Sequence, residues 1–131
     1  MTFLYRELSS ADDPNSWHAD RLMRWCASDL YIPPQPIRWH SKPVKAQPGE
    51  PWRDVVGPGR FSAKQEHWAG WIDTDPGIAV VVGQSQAEML KTVAHEVYHV
   101  YEEKEGRAFD ESRAEAYARR VSADYLVRRI P

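Results

Sequence analysis

Ser85 and Gly106 bracket the segment that most constrains this chain. Ser85, with Glu88 three residues on, forms a capping box that satisfies orphan backbone donors at a helix start. Gly106 is suited to the left-handed residue that closes a helix. The spacing predicts a helix over 86–105. At about 100° per residue, Val93, Val97 and Val100 fall on one side of it. His95 and His99 fall together on the far side, one turn apart, and Glu96 lies between the two faces. A helix with such an apolar stripe must bury it against another layer.

Candidates for that layer precede and follow it. "GIAVVVG" (77–83) is a continuous β-branched run, which predicts a buried strand. "EHWAGWID" (66–73) alternates weakly and is joined to it by "TDPG", a turn signal, so the two read as adjacent antiparallel strands with the first nearer an edge. "PIRWH" (36–40) reads as a further short strand. Upstream, Asp13-Pro14 has the character of a cap followed by a first-turn proline. Leu22, Trp25, Cys26 and Leu30 then recur at helical spacing, predicting a helix over 14–30 that Pro33-Pro34 ends. Downstream, Asp110 caps a last helix over 111–129 carrying Ala114, Tyr117, Ala118, Val121, Tyr125 and Leu126. The order is helix, short strands, helix, helix, without a βαβ repeat. This is an α+β pattern, and 131 residues suit a single domain, 1–131.

Composition removes several classes of function. A net charge of −2 argues against a nucleic-acid binder, and the C-terminal arginines (Arg113, Arg119, Arg120, Arg128, Arg129) are interleaved with acids as on a solvated helix face. One cysteine, Cys26, excludes an intrachain disulfide and a cysteine-rich zinc ribbon; its place on the apolar stripe predicts a buried thiol. No apolar run suits a signal peptide or a membrane span, so a cytoplasmic protein is expected. Residues 41–60 are rich in Pro and Gly, and so long a loop in a small domain is expected to be functional or mobile.

His95-Glu96-Val97-Tyr98-His99 matches HExxH. Two imidazoles one turn apart can share a metal ion, and the Glu beside them can move a proton without being a ligand. The pattern arises by chance in roughly one shuffled sequence in seventy of this composition, so its helical context carries the argument. In that context, over residues 66–129, the chain resembles the zincin metallopeptidases. Among them it resembles the gluzincins, and most nearly the ImmA/IrrE-type peptidases and minigluzincins. The first 65 residues carry no part of the resemblance.

The resemblance implies a zincin-like domain: N-terminal helix, short twisted antiparallel or mixed sheet, HExxH helix and a following Glu-bearing helix. It implies a Zn²⁺ held by His95, His99 and a Glu of the last helix, with Glu96 as general base for hydrolysis of a protein or peptide substrate. Two glutamates compete. "EAYARRVSADYLV" from Glu115 and "ESRAEAYA" from Glu111 both resemble the family pattern, in different registers. If the chain turns at Gly106 and the helices are antiparallel, the position mirroring the histidines falls near residue 115, which favours Glu115. Arg119 one turn beyond it departs from the family, whereas Glu115 one turn beyond Glu111 suits it. Substrate is expected along an edge strand near 67–72, with Trp68 and Trp71 as cleft wall and Tyr98, Tyr101 or Tyr117 as an additional donor. A zinc-binding regulatory or partner-binding domain with weak, latent or no proteolysis is the alternative the family also implies.

Overall fold

The computed structural model describes residues 3–4, 7–8, 14–40, 44–45, 70–72 and 77–127, with side chains for 14–40 and 77–127. Its elements in chain order are β1 (Phe3–Leu4), β2 (Glu7–Leu8), α1 (Ser16–Asp29), β3 (Ile37–His40), β4 (Val44–Lys45), β5 (Gly70–Ile72), β6 (Ile78–Val81), α2 (Gln86–Lys104) and α3 (Glu111–Leu126). Three helices and short strands make a mixed helix-and-sheet structure compatible with α+β, with α1 between β2 and β3 in the chain.

The sheet order is β2-β3-β6-β5, with a separate antiparallel pair β1-β4. β3 and β6 run parallel, Trp39 opposite Val80, while β2 joins β3 and β5 joins β6 antiparallel. The 66–73/77–83 hairpin is thus present over the residues described, with Trp71 opposite Ala79. Residues 66–69 and the 73–76 turn lie outside the described residues, as does the 41–60 segment apart from Val44–Lys45. All four residues of β6 are buried, as its unbroken apolar run predicts. Its entry is tight. The Ile78 N–H donates to the Pro36 carbonyl at 2.9 Å. Gly77 precedes it at φ +119°, where an added Cβ would lie 2.4 Å from the same carbonyl oxygen. Only glycine fits there.

α2 lies at the centre, packing on α1, α3, β5 and β6. Its Met89, Leu90, Val93, Ala94 and Val97 are almost wholly buried, with Leu22, Met23 and Cys26 of α1 and Ala118 and Val121 of α3 in the same core. Each large side chain so buried contributes roughly 1.5–3 kcal/mol. Val100, expected on this stripe, is only partly buried.

The helix ends follow local chemistry. Ser85 Oγ accepts the Glu88 N–H at 3.2 Å, and Asp110 Oδ1 accepts the Arg113 N–H at 3.0 Å. At the end of α2, Arg107 N–H reaches the Glu102 carbonyl and Gly106 N–H the Glu103 carbonyl, with Gly106 at φ +69°. This Schellman arrangement is the stop that Gly106 predicts. α1 closes in the same way, through Ile32 N–H to Ala27 and Tyr31 N–H to Ser28, but its left-handed residue is Tyr31 at φ +56°. α1 begins at Ser16 with Asn15 as N-cap rather than at Pro14, and Asp13 lies outside the described residues. α3 ends at Leu126, capped by Val127; 128–129 lie outside the description.

Candidate metal centre

The HExxH residues occupy the middle of α2, with His95 and His99 facing α3 and Phe109. Donor atoms of His95, Glu96 and His99 all lie within 4.8 Å of one another, close enough to hold a metal ion. The two Nε2 atoms are 3.0 Å apart. Two nitrogens bound to one tetrahedral zinc stand roughly 3.3 Å apart, so the pair needs little adjustment. The sequence pattern turns both imidazoles away from the valine core. The structure adds that α3 and Phe109 close over that side: the Phe109 and His99 ring centroids are 4.8 Å apart, His99 is fully buried, and His95 keeps 21% exposure.

α3 presents its first residue to this pair. Glu111 Oε1 is 2.8 Å from His99 Nε2 and Glu111 Oε2 is 2.9 Å from His95 Nε2. Glu115, the residue favoured from sequence, is not at that point. Its Oε2 is 3.5 Å from the other nitrogen of His95, Nδ1, and its Oε1 is 3.2 Å from Arg119 Nε. A mirror position near residue 115 requires equal rise on both sides of Gly106, but the chain from Arg107 to Asp110 is not helical, and Asp110 is extended at φ −121°, ψ 101°. A residue in extended backbone advances about twice as far as a helical one. The connector therefore returns the chain to the level of the histidines within four residues, and Glu111 arrives where Glu115 was expected.

Glu96 is 3% exposed, and its Oε2 has no hydrogen-bond partner among the described residues. Burial, and then the charge of Glu111, push its carboxyl well above the usual range. A buried carboxyl with an orphaned oxygen beside two imidazoles is a group built to meet a ligand that brings a positive charge or a proton.

Sequence reasoning missed Glu102. It is 2% exposed, and its Oε1 lies 2.8 Å from His99 Nδ1, at hydrogen-bonding distance. The signal was available: Glu102 follows His99 by three residues, which places it on the same helix face.

The tyrosines serve packing. The Tyr117 hydroxyl donates to Asp29 Oδ2 at 2.9 Å, which ties α3 to α1, and Tyr98 packs between Tyr101 and Tyr117 at centroid distances of 5.5 and 5.2 Å. Cys26 is buried as expected, and burial pushes its thiol up to about 12. Trp68 and the side chain of Trp71 lie outside what is described. Among the described residues no helix is long and apolar enough to cross a membrane. No family model, curated protein or solved structure matches the chain.

Proposed function

We propose that this chain is a zinc-dependent metallopeptidase of the gluzincin type, its metal held by His95 Nε2, His99 Nε2 and the carboxylate of Glu111. The observation that carries the reading is the convergence of that carboxylate on both Nε2 atoms, at 2.8 and 2.9 Å, beside the buried Glu96. Two imidazoles and one carboxylate are a donor set suited to zinc, and three protein ligands leave a position for water or substrate. Glu111 is 70% exposed, so this position opens to solvent and a substrate can enter from the Glu111 side.

A zinc ion held by His95, His99 and Glu111 would supply Lewis acidity toward a peptide carbonyl and a water. The residues do the rest. His95 and His99 present unprotonated Nε2 atoms. Glu96 lies one residue from His95, off the line of the ligands, and takes the proton of the attacking water. It then passes that proton to the leaving amine nitrogen, so it ends the cycle as it began. Glu115 restrains His95 through Nδ1. An extended peptide would pair with β5, the outer strand among the described residues, which packs on α2.

The test is paired. Wild-type protein is expected to bind one zinc per chain and to cleave an unstructured protein substrate such as casein. Glu96→Gln is expected to keep the zinc and lose cleavage by at least about a hundredfold. Absence of stoichiometric zinc, or undiminished cleavage by the Gln variant, sinks the proposal.

A further inference from the structure

Glu102 is an acid buried in a place where acids are costly, and both of its oxygens are committed. Oε1 accepts from His99 Nδ1 at 2.8 Å, and Oε2 accepts the backbone N–H of Asp110 at 2.9 Å. Asp110 is the N-cap of α3 and the residue before Glu111. One carboxylate thus touches the ring of one proposed ligand and the backbone adjoining another. We propose that Glu102 is a positioning residue that locks His99 in its Nδ1–H tautomer and holds the start of α3 so that Glu111 meets the same metal. The proposal rests on the reading of His95, His99 and Glu111 as ligands.

The chemistry requires a carboxylate. A backbone N–H can only donate, and His99 can present a lone pair at Nε2 only while its proton sits on Nδ1. Glu102 therefore faces two donors, and an acceptor-only group answers both. Glutamine has the same length but one acceptor. If its oxygen takes the Asp110 N–H, its NH₂ faces His99 Nδ1 and drives the ring to the Nε2–H tautomer, which cannot bind metal there. If its oxygen takes His99, its NH₂ meets the Asp110 N–H and pushes the start of α3 away. Either outcome damages the site without removing a ligand. The burial of Glu102 keeps water from repairing the mismatch. A carboxylate behind a ligating imidazole fixes its orientation and raises its basicity, and losing one costs roughly 10–100-fold in metal affinity.

A purely structural staple predicts something else. It lowers the stability of the metal-free protein when broken, but leaves the tautomer of His99 and the zinc affinity of the folded fraction unchanged. Two measurements separate the cases. The first is long-range ¹H–¹⁵N NMR of metal-free wild-type protein, which reports which ring nitrogens of His99 carry a proton. It is expected to show a proton on His99 Nδ1, facing Glu102, and a His99 without a proton at Nδ1 overturns the proposal whether or not any variant folds. The second is zinc competition with a chromophoric chelator on Glu102→Gln, with circular dichroism reporting its fold. Its dissociation constant is expected to rise roughly 10–100-fold at unchanged helix content. A folded Glu102→Gln within about threefold of wild type also overturns the proposal. Wild-type protein that binds no zinc at all defeats the metallopeptidase reading instead, and leaves the tautomer result standing as a property of the helix.

Discussion

Glu111 and Glu115 lie one turn apart on α3, and replacing each with alanine separates the geometry from the sequence expectation. Glu111 touches both Nε2 atoms, whereas Glu115 reaches only His95 Nδ1, at 3.5 Å. Structural zinc sites with four protein ligands are worth roughly 10–16 kcal/mol, or roughly 2.5–4 kcal/mol per ligand. Loss of Glu111 should then weaken zinc binding by about 100- to 1000-fold. Loss of Glu115 removes a 3.5 Å contact with the far nitrogen of a ring that is already held, and should cost about tenfold or less. The metal-free fold should barely notice either change. Glu111 is 70% exposed in the first turn of α3, where an acid contributes about 0.3–1 kcal/mol through the helix dipole. The assay is competition between the protein and a chelator of known zinc affinity, with thermal melts of the metal-free variants as control. Glu115→Ala weaker than Glu111→Ala, or Glu111→Ala within about tenfold of wild type, refutes the geometric reasoning.

Three further outcomes follow from the fold. Cys26 has a thiol pKa of about 12 in the folded protein against 9.0 when free, so the unfolded state loses its proton first. Stability from this source is intact below pH 9 and falls by about 1.4 kcal/mol per pH unit above it, toward about 4 kcal/mol at pH 12. Urea titrations of wild type and Cys26→Ala at pH 8 and about pH 10.5 should show a pH-dependent loss about 2 kcal/mol smaller in the variant. Tyr31 is 95% exposed at φ +56°, so Tyr31→Gly sheds left-handed strain without losing packing and should raise stability by roughly 0.5–1 kcal/mol, read as a higher melting temperature. Gly77→Ala drives a Cβ to 2.4 Å from the Pro36 carbonyl at φ +119°, and should cost about 3 kcal/mol or more, lowering the melting temperature by about 10 °C.

What was legible in the sequence is what depends on neighbours along the chain. Ser85, Asp110 and Gly106 announce helix ends because capping is settled within a few residues, and each behaves as its chemistry demands. The burial of Val93, Val97 and β6 follows from periodicity alone. The parallel pairing of β3 with β6 was not legible, since nothing in "PIRWH" says which strand 40 residues on will lie beside it. Nor was the placing of Glu111, rather than Glu115, against both Nε2 atoms. The two glutamates sit on the same helix, and their level is set by the connector, where non-helical residues replace helical rise and bring α3 back sooner than a symmetric turn would.

That connector and Glu102 explain each other. A non-helical run from Arg107 to Asp110 leaves the Asp110 N–H without a helical acceptor, in a position where burial would make it costly. Glu102 supplies the acceptor, at 2.9 Å, from a carboxylate that is itself tolerable in the interior only because His99 and Asp110 both donate to it. Removing either donor leaves a buried charge half satisfied, and removing the carboxylate leaves two donors facing nothing. The arrangement of His99, Glu102 and Asp110 therefore forms as a unit, and Glu111 inherits its position from that unit. A short gap between the last histidine and its partner glutamate is workable here because three hydrogen-bonding groups, rather than a longer helix, set the distance.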